Sequence, residues 1–237
     1  TNVIPILDNV DELPEYEKAL PGKKFKIGLR IAAEEEPNSE FYTSRLGIRQ
    51  KDIIDFYKNT IKKNANIELK LLHFFINTGI RDTAYYWNEL ARNINVYADL
   101  KKICPELTGL DIGGGFPIKT KLEFNFDYQY MADEIVNQIK STCDQKEVPV
   151  PHLFTEFGSF TVGESGAILY SVTGVKQQND KEFWYMIDSS FITTLPDTWG
   201  IKQQFILMAI NHWDKEQARV NLGGMTCDGD DYYIMES

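Results

Sequence analysis

Three consecutive glycines, Gly113, Gly114 and Gly115, directly follow an apolar stretch that ends at Asp111 and Ile112. Glycine has no side chain to pack in a strand, so three in a row favour a tight turn. Such a turn can bring backbone N–H groups close to an anion, most often a phosphate. On local grounds, an ordinary glycine-rich turn after a buried strand explains the cluster equally well.

Residues with suitable chemistry also stand near the ends of three other apolar stretches: Arg30, Thr78 and Glu156. Glycines and a hydroxyl suit a phosphate, and a carboxylate suits a protonated ring nitrogen. An arginine nearby keeps another group of the ligand anionic. If the strand ends meet at one edge of a sheet, these residues outline a site for a phosphorylated heteroaromatic cofactor such as pyridoxal phosphate.

The elements that must position these residues alternate between strand and helix. Strands are predicted at 3–7, 25–31, 69–76, 107–112 and 152–156, and helices at 8–20, 52–63, 84–103 and from 128 onward. This alternation predicts parallel β/α units, and both a doubly wound sheet and a (β/α)8 barrel fit it. A closed barrel needs eight strands in about 250 residues. Only five strands are found, so a barrel would lack its first three units.

The pattern changes after Gly166. The stretches 167–176 and 182–187 are rich in β-forming residues and flank a polar turn, which predicts an antiparallel hairpin. We therefore predict a domain boundary near residue 166, with one α/β domain at 1–166 and the start of a β-rich domain at 167–237.

Composition narrows the class of protein. The chain has 237 residues, of which 43% are hydrophobic, and a formal net charge of −10, which argues against nucleic-acid binding. Its cysteines, Cys104, Cys143 and Cys227, are odd in number and widely spaced, which favours reduced thiols in a cytoplasmic protein. No apolar run reaches the roughly 18 residues of a membrane span. The chain begins at Thr1 without a methionine, so we expect a piece of a longer polypeptide.

The motifs together resemble a known family. GGGFP after an apolar strand, E-x-G about forty residues later and then TCDGDD are similar to the fold-type III pyridoxal-phosphate decarboxylases of ornithine, arginine and diaminopimelate. The segments Leu72–Ile80 and Leu195–Ile201 resemble the biosynthetic arginine decarboxylase branch. The resemblance implies a partial (β/α)8 barrel of the alanine-racemase type at 1–166, followed by a β-rich C-terminal domain.

The resemblance also implies roles for residues of the barrel. Gly113–Gly115 would bind the cofactor phosphate through backbone N–H groups, and Thr78 occupies the place of a phosphate-binding serine. Glu156 would pair with the pyridine nitrogen, and Arg30 would lie close to the phenolic oxygen of the ring. No metal is implied.

Further roles fall in the C-terminal part. Cys227 and Asp228 match a catalytic Cys-Asp pair that enters the active site of the neighbouring subunit, which implies a homodimer. Asp228, together with Asp188, would bind the distal cation of a basic amino acid. The implied reaction is decarboxylation of arginine to agmatine in polyamine biosynthesis. Ornithine or another basic amino acid is the first alternative, and a catalytically silent regulatory homologue is the second.

Three departures from the family pattern stand out. No lysine here has the context of the Schiff-base lysine, which would belong to the barrel units not found. Phe75 stands where the family has a ring-stacking histidine, and we expect the neighbouring His73 to point to the other side of the strand. Ser159 stands where the family has an arginine that helps hold the phosphate. Phe75 and Ser159 are still expected to line the cofactor.

Simpler interpretations of single residues remain open. Arg30 could form a structural ion pair, and Thr78 could cap the helix that follows it. Cys227 could be a small buried apolar residue. Asp230 and Asp231 could suggest a calcium loop, although their spacing lacks the full EF-hand pattern.

Overall fold

The computed structural model describes residues 3–33, 44–216 and 218–234. The chain divides into two compact units. The barrel unit comprises Thr1–Pro117 and Phe126–Thr161, and the sheet unit comprises Ile118–Asn125 and Val162–Ser237. The sequence-derived domain limits near residue 166 stay a prediction.

The barrel unit contains a five-stranded parallel sheet with helices between its strands. Its strands are β1 (Ile6–Leu7), β2 (Phe25–Ile31), β3 (Ile67–Phe74), β4 (Gly109–Asp111) and β5 (His152–Phe154). Its helices are α1 (Leu13–Ala19), α2 (Gln50–Asn59), α3 (Ala84–Lys101) and α4 (Tyr128–Gln145), with two short 3-10 turns at Val10–Glu12 and Ile61–Lys63. A short helix, α5 (Gly158–Val162), follows β5.

The strand order separates the two architectures that the sequence leaves open. The strands neighbour one another in chain order, β1-β2-β3-β4-β5. A doubly wound sheet reverses its order at a switch point, whereas a barrel adds each right-handed β/α unit on the same side. The five described strands are therefore a segment of a (β/α)8 barrel, and the predicted fold class is confirmed.

The two faces of this sheet differ in chemistry. Side chains alternate between faces along each strand, and one face packs against the helices through Ile27, Leu29, Leu72, Phe74 and Leu110. The opposite face carries Gly28, Leu71 and Gly109, followed toward the carboxyl ends by Arg30, His73 and Asp111. The polar residues thus lie on the inner face, at the end of the barrel where active sites are built.

The long helices begin at side-chain caps and pack on the sheet. Thr83 caps α3 by accepting a hydrogen bond from the Tyr86 N–H, and Asp127 caps α4 by accepting one from the Tyr130 N–H. Tyr97 in α3 is fully buried, and burial, with a contribution from Cys143, raises its pKa to about 12. Among the described residues, no helix is long and apolar enough to cross a bilayer.

The sheet unit contains a mixed four-stranded sheet. Its strands are β6 (Val172–Asn179), β7 (Glu182–Ile187), β8 (Asn221–Gly223) and β9 (Tyr232–Tyr233), in the order β6-β7-β8-β9. β6 and β7 form the antiparallel hairpin that the sequence predicts, β8 runs parallel to β7, and β9 runs antiparallel to β8. Two short helices, α6 (Phe191–Thr194) and α7 (Pro196–Ile201), follow β7. A small core forms around Ile187, Phe191 and Tyr233.

Candidate cofactor-binding site

The turn after β4 requires its glycines for steric reasons. Gly113 and Gly115 adopt positive φ values of 68° and 109°, which L side chains rarely tolerate. A Cβ on Gly114 would collide with the carbonyl oxygen of Glu156. The packing of the turn therefore accounts for all three glycines before any ligand is considered.

Hydrogen bonds tie this turn to the segments that follow β3 and β5. The Ile80 N–H donates to the Gly115 carbonyl at 2.9 Å, and the Glu156 N–H donates to the Gly113 carbonyl at 2.9 Å. Thr78 lies in the first of these segments, two residues before Ile80. The structure thus brings Thr78, the glycine turn and Glu156 together at the carboxyl ends of three adjacent strands.

The donors in this arrangement suit a phosphate. The Thr78 hydroxyl is buried without a hydrogen-bond partner among the described residues, and Thr83, not Thr78, caps α3. The Gly113 N–H is already bonded to Asp111 at 2.9 Å. The N–H groups of Gly114 and Gly115 donate to no acceptor in the part of the chain that the structure describes. A hydroxyl and two free N–H groups are donors of the kind that suits a phosphate, and their binding of the cofactor phosphate stays a prediction.

Glu156 has two titratable neighbours that the sequence interpretation did not assign to the site. His73 and Asp111 are both 7% exposed, and the ligand atoms of all three residues lie within 4.8 Å of one another. The expectation that His73 points away is wrong, because residues two apart on a strand share a face. The spacing of His73 and Phe75 alone could have shown this.

The same three residues could in principle hold a metal ion. One imidazole and two carboxylates are a common donor set for divalent cations. No metal is expected from the sequence, and that expectation stays a prediction.

Arg30 forms an ion pair with Asp8 within the barrel unit. Its Nε lies 3.7 Å from the Oδ1 of Asp8, and its side chain is half-buried. The structural ion pair that the sequence leaves open is therefore present. A contact between Arg30 and the cofactor ring stays a prediction.

Aromatic side chains pack around the turn. The ring centroids of Phe116 and Phe157 are 4.5 Å apart, so the residues that follow Gly115 and Glu156 pack against each other. Phe75 is half-buried, and its Cδ2 would lie 3.0 Å from a Cβ on Gly113. Ser159 is exposed in α5. The cofactor roles of Phe75 and Ser159 stay predictions.

The remaining predicted site residues lie in the sheet unit. Asp188 follows β7 and accepts a hydrogen bond from the Ser171 N–H at 2.9 Å, and the bonds from Ser171 lower the pKa of its carboxyl. Cys227 is exposed, unlike the buried Cys104 and Cys143. Asp228 accepts a hydrogen bond from the Asp230 N–H at 2.9 Å. Their catalytic and substrate-binding roles stay predictions.

Asp231 organises the turn that carries Cys227 and Asp228. It is 5% exposed, and its carboxylate accepts hydrogen bonds from the Phe191 N–H at 2.8 Å and from the Thr226 hydroxyl at 2.7 Å. Burial alone would raise the pKa of Asp231, but the hydrogen bonds from Thr226 and Phe191 hold it below its usual value. The calcium loop is not needed to explain this acid, because protein donors surround it.

Comparison with known proteins agrees with this geometry. Residues 3–163 match the family described as "Pyridoxal-dependent decarboxylase, pyridoxal binding domain". The chain is 28% identical over 206 residues to the biosynthetic arginine decarboxylase of Citrifermentans bemidjiense, covering 79% of this chain and 32% of that protein. It is 23% identical over 193 residues to the biosynthetic arginine decarboxylase of Pseudomonas aeruginosa, covering 76% of this chain and 30% of that one.

Solved structures share the fold. A diaminopimelate decarboxylase from Helicobacter pylori, complexed with L-lysine, superposes with a TM-score of 0.82 at 18% identity, covering 99% of this chain and 58% of that one. A lysine decarboxylase from Selenomonas ruminantium gives a TM-score of 0.74 at 23% identity, covering 96% of this chain and 56% of that one. At these identities the likeness concerns the fold.

The described strands form part of a parallel barrel, with a glycine turn and a glutamate beyond the ends of adjacent strands. The chain belongs to the pyridoxal-dependent decarboxylase family. The resemblance drawn from its motifs is thus confirmed, and the cofactor is confirmed at the level of the family. The chain spans about a third of the length of the arginine decarboxylases that it matches.

Proposed function

We propose that this chain forms part of a pyridoxal-phosphate-dependent decarboxylase of basic amino acids, with arginine, converted to agmatine, as the first candidate substrate. One observation carries the proposal. The glycine turn is hydrogen-bonded on one side to the segment of Thr78 and on the other to Glu156. A phosphate site and a ring-nitrogen partner are therefore held in one rigid frame, as a phosphorylated pyridine requires.

In this proposal the chain's own residues bind and orient the cofactor. The Thr78 hydroxyl and the N–H groups of Gly114 and Gly115 hold the phosphate. The Glu156 carboxylate keeps a proton on the ring nitrogen. When bound, the cofactor supplies an electron sink for the charge left at the substrate α-carbon after CO2 departs.

Residues of the sheet unit complete the proposed chemistry. Asp228 and Asp188 bind the distal cation of the substrate, because a charge-assisted contact offsets the desolvation of a guanidinium or ammonium. The Cys227 thiol assists protonation of the product carbon. We propose that Cys227 and Asp228 act across a homodimer interface in a cytoplasmic enzyme of polyamine biosynthesis.

The identity of the substrate rests on two kinds of support. The matched curated relatives are biosynthetic arginine decarboxylases, and the Leu195–Ile201 segment resembles that branch. The superposed structures include a diaminopimelate decarboxylase and a lysine decarboxylase, so ornithine, lysine and related amino acids are the alternatives.

Two residues favour a second candidate function, a catalytically silent regulatory homologue. Phenylalanine at position 75 can stack on a ring but cannot transfer a proton. Serine at position 159 can donate a hydrogen bond but brings no charge to a phosphate.

The proposal is tested on the full-length protein. We expect added pyridoxal phosphate to give the visible absorbance band of a protein-bound cofactor, and arginine to release CO2 faster than ornithine, lysine or diaminopimelate. Glu156→Gln should retain binding but lower the rate of CO2 release by at least about a hundredfold, because the ring nitrogen loses its anionic partner. Cofactor binding without CO2 release from any of these amino acids would favour the silent homologue.

A further inference from the structure

The inner face of the barrel unit carries two adjacent contacts between a basic and an acidic side chain at the carboxyl end of the sheet. Arg30 is in register with His73, and His73 is in register with Asp111. Arg30 faces Asp8, while the Nδ1 of His73 lies 3.3 Å from the Oδ2 of Asp111. The Arg30 contact is explained by Asp8. The His73–Asp111 contact has no assigned role, although it lies next to Glu156.

Asp111 uses its two carboxylate oxygens in different directions. Oδ1 accepts a hydrogen bond from the Gly113 N–H at 2.9 Å, and Oδ2 faces His73. The His73 contact has the distance of an ion pair but not the alignment of a hydrogen bond. Both residues are buried, with 7% of their surface exposed. A buried carboxylate with these two contacts is held in one orientation.

Gly113 links Asp111 to Glu156. Gly113 makes both bonds. Its N–H donates to Asp111, and its carbonyl accepts a hydrogen bond from the Glu156 N–H at 2.9 Å. Beside it, the Glu156 carbonyl fills the space that a Cβ on Gly114 would need. A change in the orientation of Gly113 would therefore displace Glu156.

We propose that Asp111 is a positioning residue that sets the placement of Glu156 relative to the phosphate-binding glycine turn. The inference rests on the proposed function for its catalytic meaning. Asp111 contacts no ligand in this scheme. It acts through Gly113, and His73 holds its carboxylate in place.

The test uses three variants of the full-length protein. Asp111→Ala removes both contacts, whereas Asp111→Asn retains an oxygen that can accept from the Gly113 N–H. Asp133→Ala is the matched control, because Asp133 is an exposed acid on α4. Amide hydrogen exchange is measured without cofactor, and affinity for pyridoxal phosphate is measured by titration of the visible band.

In the cofactor-free protein, Asp111→Ala should speed exchange about tenfold or more in two separate peptides, 109–117 and 152–158. Asp111→Asn should restore most of the protection in both, and Asp133→Ala should change neither. The affinity for pyridoxal phosphate should fall at least about tenfold in Asp111→Ala and recover in Asp111→Asn.

Faster exchange confined to 109–117 would overturn the inference, because Asp111 would then support only its own turn. A uniform increase across the barrel unit, or an Asn variant no better than the Ala variant, would overturn it as well. A wild-type protein that binds no pyridoxal phosphate would refute the proposed function, while the exchange data would still decide the link between Asp111 and Glu156.

Discussion

At the scale of single residues, buried carboxylates shape both candidate regions. Asp111 holds the glycine turn of the barrel unit, and Asp231 holds the Thr226–Asp231 turn of the sheet unit. The sequence interpretation assigns no role to Asp111 and considers Asp231 only as part of a calcium loop, because the adjacent glycines and the Cys-Asp pair are more conspicuous. An aspartate within a few residues of a glycine-rich turn or of a turn that contains threonine is the signal that could have indicated these two acids.

We predict that Asp231→Ala lowers the free energy of unfolding of the sheet unit by about 2–4 kcal/mol at neutral pH, because it removes the acceptor of several hydrogen bonds. The depressed pKa of Asp231 means that its contribution is present above the unfolded-state value of about 3.9 and is lost as the pH falls through the lower folded-state value. The difference between wild type and variant should therefore shrink in acid.

Hydrogen exchange of β8 and β9 in increasing urea, at pH 7 and near pH 3, measures this difference. Asp230→Ala is the matched control, since its carboxylate is exposed and one residue away. Equal losses in the two variants, or a loss that does not depend on pH, would contradict the prediction.

At the scale of elements, the loops after β3, β4 and β5 act as one assembly. Each loop is hydrogen-bonded to its neighbour, and Phe116 and Phe157 pack across the gap between two of them. The strands fix where the loops start, and the loops fix where Thr78 and Glu156 stand. Site residues carried on loops that the strands position are typical of barrel enzymes, whose sites lie beyond the carboxyl ends of the strands.

We expect Gly114→Ala to reduce pyridoxal phosphate affinity by at least about tenfold, because the new methyl group would push the Glu156 carbonyl away. The far-ultraviolet circular dichroism should be unchanged, since the atoms nearest this methyl group belong to Glu156, which lies outside the strands and helices. Cofactor titration of the full-length protein measures the effect.

Gly166→Ala serves as the control for that substitution. A Cβ at position 166 meets no atom within 4 Å, so its affinity for the cofactor should match that of the wild type. If Gly114→Ala also bound the cofactor normally, the close approach between the turn and Glu156 would not matter for binding.

At the scale of the whole molecule, the barrel segment leaves apolar surface uncovered. Leu153 and Phe154 on the edge strand β5 are 39% and 48% exposed. Parallel sheets are normally covered on both faces, and further β/α units would supply this cover in a closed barrel, helices on the outside and strands across the inside. The share of about a third that the chain takes of its arginine decarboxylase relatives agrees with this picture.

If the active site is shared between two subunits, mixing two inactive variants should restore activity. We predict that Glu156→Gln and Asp228→Ala, each nearly inactive alone, recover up to about a quarter of wild-type CO2 release after subunit exchange. Random pairing makes half of the dimers mixed, and each mixed dimer has one intact site. Assay after mild dissociation and reassociation, with light scattering to report the dimer, tests this.

No recovery in verified mixed dimers would place Asp228 in the same site as the Glu156 of its own chain. Two samples of Glu156→Gln mixed with each other are the control and should stay inactive.

The sequence alone determined the features that depend on local chemistry. Short apolar or alternating runs indicated all five strands of the barrel unit, helical spacing indicated α2, α3 and α4, and a polar turn indicated the β6–β7 hairpin. The three glycines indicated a tight turn, in which Gly113 and Gly115 adopt positive φ angles. The motifs GGGFP, E-x-G and TCDGDD identified the pyridoxal-dependent decarboxylase family by resemblance.

Only the tertiary structure decided which distant residues meet. Strand order selected a barrel over a doubly wound sheet, and register placed His73, Asp111 and Glu156 together from three separate segments. The fold of the sheet unit also surrounds Asp231 with donors from Thr226 and from Phe191, forty residues away. Local propensity cannot specify such contacts, because the pairing of strands and the packing of their loops depend on the energy of the whole assembled sheet.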